Sequence, residues 1–470
     1  MIRYLLFLLA FLISKGAYSQ VQNIDKILKS NSFNHASVGL VIKDLDNDEL
    51  IYSHNADLSL IPASTLKLLT TFSALEYYSP DHKFRTDIFY QGEILGDGSL
   101  YGNIIVKGGG DPTLGSTKFS IVLSHEEIFQ KIIRALKRQN ITCIEGDILF
   151  DNSLFGGEAI NNTWKWNDIG NYYAAGSWAF NFNENLFDIQ FERAHTPYSW
   201  TKLSSISPYL DQIRLKSYVT TGAEGSGDNA YVYAHPYSMD MIVKGTIPPG
   251  KGIFKIQAAL PDPSMLFKSL FSKALNRNEM QVGGAEINSN SASQHLTTIE
   301  SPSLSEIVYH ANLKSNNLYC ETLLRDTGAQ HSQKGSTESG IDAIINLLEQ
   351  NDVITSSLTL VDGSGLSSKN RIASQTYVDF ISLIYRKYGF GYFETHLSDF
   401  KSGGYKSVFK NLKGDFNLVL KSGSISQVQG YVGILETDNK RYAFAFMSNG
   451  HKVSNRLIRT EFAKIIESLI

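Results

Sequence analysis

The chain has 470 residues, 43 Lys and Arg against 46 Asp and Glu, and a formal net charge of −3. So close a balance gives neither a nucleic acid nor an anionic membrane surface much to attract, and both are set aside as partners. The length implies more than one domain and ample core. The 24 Tyr and 26 Phe exceed what a minimal core needs, and tyrosine clusters often line binding clefts. The two cysteines, Cys143 and Cys320, lie far apart and make no disulfide framework, so two buried thiols outside any disulfide are expected.

Residues 1–19 have the layout of a secretory signal peptide. Arg3 supplies the positive end, Tyr4 to Ile13 the short apolar run, and Ala17-Tyr-Ser19 the small residues of a cleavage site. The apolar run is too short to span a bilayer comfortably. No cysteine near the cleavage point points to a lipid anchor, and no later segment is long and apolar enough to be transmembrane.

A helix over Ile24 to Leu28 leads into two strands, Ala36 to Lys43 and Glu49 to Tyr52, joined by a polar turn as a hairpin. The hairpin delivers the chain to Ile61-Pro-Ala-Ser-Thr-Leu-Lys67. Pro62 suits a helix start, and Leu66, Leu68, Leu69, Phe72 and Leu75 have the spacing of a buried helical face. Ser64 and Lys67 then lie one turn apart on one face, so an amine can reach a hydroxyl. A serine alcohol needs a base to become a nucleophile. A lysine is such a base when burial or neighbouring positive charge favours its neutral form. A helix N-terminus also aims N–H groups at an oxyanion formed there. The pattern alone is weak, because Ser-x-x-Lys recurs at Ser199, Ser398 and Ser407.

Residues 84–293 are rich in short strands and turns. Strands are expected over Phe84 to Tyr90, Leu100 to Val106, Glu145 to Phe150, Ala230 to Ala234 and Met239 to Gly245. A helix is expected over His125 to Arg138, and a long loop over Asn161 to Tyr173. Gly108-Gly-Gly-Asp-Pro112 marks a further loop. The histidines, His195 and His235 among them, are scattered without metal-ligand spacing, so neither metal nor cofactor is expected. Pro263 to Gln281 has helical spacing, with Asp262 as its N-cap.

Ser303 to Leu324 carries two helices around the break Lys314-Ser-Asn-Asn317. Ser315 and Asn317, two apart, can present a hydroxyl and an amide in the same direction. Ser-x-Asn also occurs at Ser32, Ser53 and Ser368, and a capping turn accounts for it equally well. Further helices are expected over Ile341 to Gln350 and Ala373 to Tyr388, with the glycine-pinned loop Asp362-Gly-Ser-Gly-Leu366 between them. Phe416 to Ile425 alternates as a strand and carries Lys421-Ser-Gly423, where Gly423 keeps the wall low enough for a substrate backbone. Lys401-Ser-Gly403 repeats the tripeptide without a strand pattern, so Lys421 is preferred. Strands over Gly430 to Glu436 and Tyr442 to Ser448 and a closing amphipathic helix complete the chain.

Ser-x-x-Lys at a helix start, Ser-x-Asn in a helix–helix break and Lys-[Ser/Thr]-Gly on a late strand, in that order, resemble the signature of penicillin-recognising serine enzymes. The roughly 250 residues between Ser64 and Ser315 are similar to the long insertion of the class C low-molecular-mass penicillin-binding proteins (the penicillin-binding protein 4 type). That family comprises D-Ala-D-Ala carboxypeptidases and endopeptidases. Gly110-Asp-Pro-Thr-Leu114, Gly146-Asp-Ile-Leu-Phe-Asp151 with Phe155, Gly245-Thr-Ile-Pro248 and Asp362-Gly-Ser-Gly-Leu-Ser367 resemble its other landmarks, so the likeness covers nearly the whole mature chain. Lys-Ser-Gly stands where Lys-Thr-Gly is commoner, Ser-Asn-Asn where Ser-Asp-Asn is frequent, and Gly404-Tyr-Lys-Ser-Val408 matches loosely the turn before the last motif.

The resemblance implies an α/β fold. A β-lactamase/transpeptidase-like domain, an antiparallel sheet flanked by helices, would come from 20–83 and 294–470. A β-rich insertion, 84–293, would form one or two small domains. It implies Ser64 as nucleophile on a D-Ala-D-Ala bond, Lys67 as general base and Ser315 as proton relay to the leaving amine. Asn317 would orient the acyl-side amide, and Lys421 and Ser422 would bind the terminal carboxylate beside Gly423. The N–H groups of Ser64 and Ser424 would form the oxyanion hole. Asp151 is the candidate for meeting the free amino group of the stem. The implied substrate is the peptidoglycan stem peptide, with β-lactams as covalent inhibitors and the periplasm as location. A β-lactamase or esterase of the same clan and a noncatalytic cell-wall binding protein on the same fold are the competing readings.

Overall fold

The computed structural model describes residues 21–288, 291–401 and 405–470. The expected signal peptide at 1–19 lies outside them, as do Ser402, Gly403 and Gly404 of the glycine-rich segment. In chain order, helix α1 (21–28) is followed by strands β1 (Ser37–Asp44) and β2 (Leu50–His54) and by helix α2 (Leu66–Tyr77). Next come β3 (Arg85–Ile94), β4 (Ser99–Lys107), α3 (His125–Arg138), β5 (Cys143–Ile144), β6 (Ile148–Asp151) and β7 (Leu186–Glu192). Then follow β8 (Lys202–Ser207), β9 (Arg214–Thr221), β10 (Asn229–Ala234), β11 (Asp240–Ile247), β12 (Ile253–Ala259), α4 (Pro263–Arg277) and β13 (Gln294–Glu300). The last third holds α5 (Leu304–Lys314), α6 (Asn317–Ser332), α7 (Thr337–Glu349), α8 (Ser374–Tyr388), α9 (Phe390–His396), β14 (Ser398–Asp399) and α10 (Lys406–Phe409). It closes with β15 (Phe416–Ile425), β16 (Val428–Thr437), β17 (Arg441–Asn449) and α11 (Asn455–Glu467).

Two compact units result. The first takes the chain up to Glu76, Val308–Asn316 and Ile341–Ile470; the second takes Tyr77–Ile307 and Asn317–Gly340. The second unit contains all of 84–293 and adds flanking chain on both sides.

The first unit is built on a six-stranded antiparallel sheet in the order β14-β15-β16-β17-β1-β2. The N-terminal hairpin thus completes a sheet begun by the C-terminal strands. Its central strand β16 is buried over Val428–Leu435, which is why it shows no polar alternation. Register assigns each face. Leu40 pairs with Phe446, Tyr431 with Phe446 and Ile42 with Phe444, and these bulky residues pack with Phe462 and Ile466 of α11 and with Ile24 of α1. The opposite face carries Gly39, Gly423, Gly430, Ala443 and Ala445, and there α8 packs against β16, β17 and β1. Small residues let a helix and a turn approach the sheet backbone closely, and that face receives the Ser64 turn.

The second unit holds a five-stranded sheet, β13-β3-β4-β5 with β6 also on β4, and two three-stranded sheets, β10-β11-β9 and β12-β7-β8. Phe129, Phe180, Phe182, Phe267 and Phe271 fill its core with ring contacts 5.1 to 6.5 Å apart. Helix α3 matches its expected bounds, because Ser124 and Glu127 form a reciprocal capping box and Ile128, Ile132, Ile133 and Leu136 give it a buried stripe. Asp262 caps α4 as expected, but the helix stops at Arg277, where Asn278 donates to Ala274 O. Strands β7, β8, β9, β12 and β13 carry no sequence expectation. No disulfide joins Cys143 and Cys320, and the expectation of two buried thiols holds for Cys320 only: Cys143, on the two-residue strand β5, is partly exposed. Among the described residues no helix is long and apolar enough to cross a membrane.

Candidate active site

Ser64 does not start an α-helix, as its sequence neighbourhood predicts. It lies in a 3-10 turn, Ala63–Thr65, and α2 begins only at Leu66. Pro62 keeps a helical backbone at the cap, whereas Ala63 is left-handed with φ 48°. A non-glycine residue in that region costs on the order of 1–3 kcal/mol and persists only where its surroundings hold it. Here the holder is Gly365, itself left-handed at φ 76°, where a Cβ would stand 1.9 Å from Ala63 O.

The 3-10 repeat brings residues three apart into line. Lys67 Nζ donates to Ser64 Oγ at 3.0 Å and to Ser364 O at 2.6 Å. Ser64 is half-buried, while Lys67 has 0% exposure. Asp362 shapes the loop carrying Ser364: its carboxylate accepts from the N–H groups of Gly365 and Ser367 and from Asn370 Nδ2. Thr70 Oγ1 closes on Gly363 O at 2.7 Å. Below the turn, Thr65 Oγ1 donates to Pro62 O and lies 3.0 Å from the Tyr377 hydroxyl of α8. Burial pushes the Tyr377 phenol far above its ordinary range, so it stays a neutral hydrogen-bonding prop.

A second lysine–serine pair repeats the arrangement. Ser315, in the break between α5 and α6, is left-handed with φ 55°. Its Oγ accepts from Lys421 Nζ at 3.1 Å, and Lys421 also donates to Ser422 O at 2.9 Å. Lys421 is buried to 1% exposure. Asn312 anchors this end of α5 by donating to Thr71 Oγ1 of α2 and to His396 O.

Strand β15 joins the two pairs. A Cβ on Gly423 would lie 2.4 Å from Pro62 O, 2.7 Å from Thr65 N and 2.9 Å from Ser64 N, so the Ser64 turn rests on bare backbone. Lys421 is two residues back on the same face, about 6.7 Å along the strand. Alternation puts the Ser422 and Ser424 side chains on the opposite face, where Ser424 Oγ accepts from Asn455 Nδ2 of α11. Strand β14 pairs only with Val419 and Leu420. Beyond Leu420 that edge of β15 has no strand partner among the described residues. The Ser422 N–H on this edge donates to the Tyr405 hydroxyl at 3.0 Å, and by the same alternation the Ser424 N–H points the same way.

The remaining candidates belong to the second unit. Asn317 opens α6, and its Nδ2 donates to Tyr173 O at 2.7 Å. Asp151 ends β6 and accepts from Ser153 N at 2.9 Å in a strand-end turn. Partial burial raises its carboxyl, but the Ser153 hydrogen bonds and Lys107 outweigh that and hold it below the usual range. Of the supports, Asp362 lies in a segment that the sequence marks as glycine-pinned and family-like, and Tyr405 in the loosely matching turn before the last motif; Tyr377 and Asn455 belong to no short motif.

The profile of the D-Ala-D-Ala carboxypeptidase 3 (S13) family matches residues 20–468. The chain belongs to this family. It is 26% identical over 450 residues to the D-alanyl-D-alanine carboxypeptidase of Actinomadura sp. (strain R39), covering 92% of this chain and 81% of the relative. Its fold matches the crystal structure of penicillin binding protein 4 (dacB) from Haemophilus influenzae with a TM-score of 0.79 at 21% identity, over 95% of this chain and 98% of the other. The same Haemophilus protein complexed with a novel β-lactam matches with a TM-score of 0.74 at 19% identity, over the same shares of the two chains. The S13 fold of this chain is therefore the antiparallel sheet with flanking helices and strand-rich insertion that its three motifs imply.

Proposed function

We propose that this S13 family member is a serine D,D-carboxypeptidase, with D,D-endopeptidase cleavage open to the same chemistry, acting on peptidoglycan stem peptides through a Ser64 acyl-enzyme. One observation carries the reading: a fully buried amine, Lys67 Nζ, stands 3.0 Å from the half-exposed hydroxyl of Ser64. Loss of water around an amine favours its neutral form, the form that takes the serine proton. Ser64 Oγ attacks the carbonyl of the D-Ala-D-Ala bond, the C–N bond breaks, and Ser315 passes a proton to the leaving amine. Water then cleaves the ester.

The edge of β15 beyond Leu420, which has no strand partner among the described residues, is a template for an extended peptide. The N–H groups of Ser64 and Ser424 serve as oxyanion donors. Lys421, from one face of the strand, and the Ser422 hydroxyl, from the other, receive the terminal carboxylate, with Gly423 keeping the wall low. Asn317 orients the acyl-side amide, and Asp151 meets the free amino group of the stem. In this reading 1–19 is a signal peptide, the mature protein works in the periplasm, 84–293 is the insertion, and β-lactams enter as substrates that stall at the acyl-enzyme.

The test is gel labelling with a fluorescent penicillin. The mature wild type is expected to give a labelled band and Ser64→Ala none. An unlabelled but folded wild type removes the acylation mechanism and favours a binding protein. Rapid turnover of nitrocefin would favour a β-lactamase instead.

A further inference from the structure

In the second unit the sheet β10-β11-β9 has one face in the core and one in solvent. Val232, Met241, Val243 and Val219 point inward and are buried. On the outward face, alternation leads one to expect polar residues. Aromatic and aliphatic side chains stand there instead: Tyr218 is 40%, Tyr231 43% and Ile242 38% exposed. Trp166, 60% exposed, leans over this face with its ring 5.3 Å from that of Tyr233. Register brings Ile242 beside both Lys216 and Tyr233, and Lys244 beside both Tyr218 and Tyr231. The result is a lattice in which rings and ammonium groups alternate. Lys216 and Lys244 reach to 5.2 and 5.9 Å from the Tyr218 ring centre. Trp166, Tyr233 and Ile242 line a cavity of about 620 Å³ with Lys216, Lys244 and the Arg214–Asp240 ion pair.

Several occupants fit poorly. A protein interface has few lysines at its core, and here Lys216 and Lys244 stand in the middle of the patch. A nucleic acid needs a broad run of cations. Among the described residues this face has two, Lys216 and Lys244, that form no ion pair with a carboxylate, since Arg214 is taken by Asp240. A chain of sugar rings fits both features. Its apolar ring faces stack on aromatic side chains, while hydroxyl and N-acetyl oxygens accept from the ammonium groups. Carboxylates borne on the chain complement the excess positive charge.

We propose that this face is a glycan-binding platform, taking a stretch of the N-acetylhexosamine chain of peptidoglycan with its carboxylate-bearing stem peptides. Ring stacking at Trp166 and Tyr233 holds the sugars, and Lys216 and Lys244 hold the acidic branches. The proposal rests on the reading of the chain as a peptidoglycan peptidase, but it concerns a surface separate from Ser64 and requires no acylation.

The experiment measures binding of the mature protein to two probes by co-sedimentation and calorimetry: intact sacculi, and glycan strands stripped of their stems, with the lactyl carboxylates that stripping exposes capped as amides. All proteins carry Ser64→Ala, so cleavage does not interfere. Trp166→Ala with Tyr233→Ala is expected to weaken binding to both probes by about tenfold or more. Lys216→Gln with Lys244→Gln is expected to weaken binding to sacculi while leaving stripped strands within about twofold. The same four substitutions in the Ser64 protein should leave its rate of labelling by soluble penicillin unchanged. Glycan binding equal in the aromatic variant and its parent, or no binding of stripped strands at all, overturns the proposal. Failure of penicillin labelling with glycan binding intact overturns the peptidase reading and leaves the platform standing.

Discussion

At the residue scale the site is two lysine–serine pairs, Lys67 on Ser64 and Lys421 on Ser315, each closed at about hydrogen-bond length. The two amines differ in their second partner. Lys67 is anchored by a carbonyl from a loop, Ser364 O, whereas Lys421 returns to its own strand at Ser422 O. Replacing Lys67 with Met keeps the length of the buried side chain and removes the base. The rate of acylation by a fluorescent penicillin is expected to fall by about 10²–10⁴-fold, with circular dichroism unchanged. Acylation within about threefold of wild type would take the general-base role away from Lys67. Ser64 and Lys67 were legible as a pair because three residues of spacing is a local property. The pairing of Ser315 with Lys421 spans 106 positions, and nothing in either tripeptide specifies it.

At the element scale, the important contact is a turn resting on a strand. Gly423 is the point at which β15 lets the Ser64 turn come down, and an added methyl meets Pro62 O at 2.4 Å. Gly423→Ala is therefore expected to displace the turn, cost about 1–3 kcal/mol of stability, and reduce acylation far more than that loss accounts for. Gly391, on α9, has nothing within 4 Å of a Cβ. Gly391→Ala is the matched control: it should gain up to about 1 kcal/mol with no change in acylation. Thermal melts read beside labelling rates check both, and equal behaviour of the two variants would count against the close approach. The same element explains a missed expectation. Pro62 and an apolar helical run predict an α-helix from the start of the motif, yet Ala63 and Ser64 are drawn into a 3-10 turn by Gly365 and Gly423, which are distant in sequence.

At the scale of the whole molecule, a buried acid makes stability depend on pH. Asp326 of α6 is buried, its Oδ2 accepts no hydrogen bond, and burial pushes its pKa up to about 7, against a smaller lowering by the Tyr78 hydroxyl. The folded state then holds the proton more tightly than the unfolded state. The stability this provides is complete below about pH 4 and is lost as pH rises through about 7. Asp326→Asn keeps the shape without the charge. It is expected to raise the melting temperature at pH 8, by up to about 4 kcal/mol in free energy, and to do little at pH 4. Melting curves of the two proteins that differ by the same amount at both pH values would show that the carboxyl does not titrate in this range.

The sequence by itself determined the elements with strong local periodicity or capping: the first hairpin, α3 with its Ser124 capping box, α4 with Asp262 and the strand around Lys421. It also determined the three short motifs, because their chemistry depends on spacings of two or three residues. Strands of the second unit were less legible. β8 carries only two apolar residues in Lys202–Ser207, and Leu203 and Ile206 stand three apart across a register shift, so the run shows no period-two alternation. In β7, Phe187, Ile189 and Phe191 do alternate and are all buried on one face. Only the tertiary structure decided that the N-terminal hairpin completes the C-terminal sheet, that Lys421 reaches Ser315, and that Asp362, Tyr377 and Tyr405 support the site. Those contacts join residues tens to hundreds of positions apart. They follow from which small residues leave room on one face of a sheet, a property of packed neighbours that no local window contains.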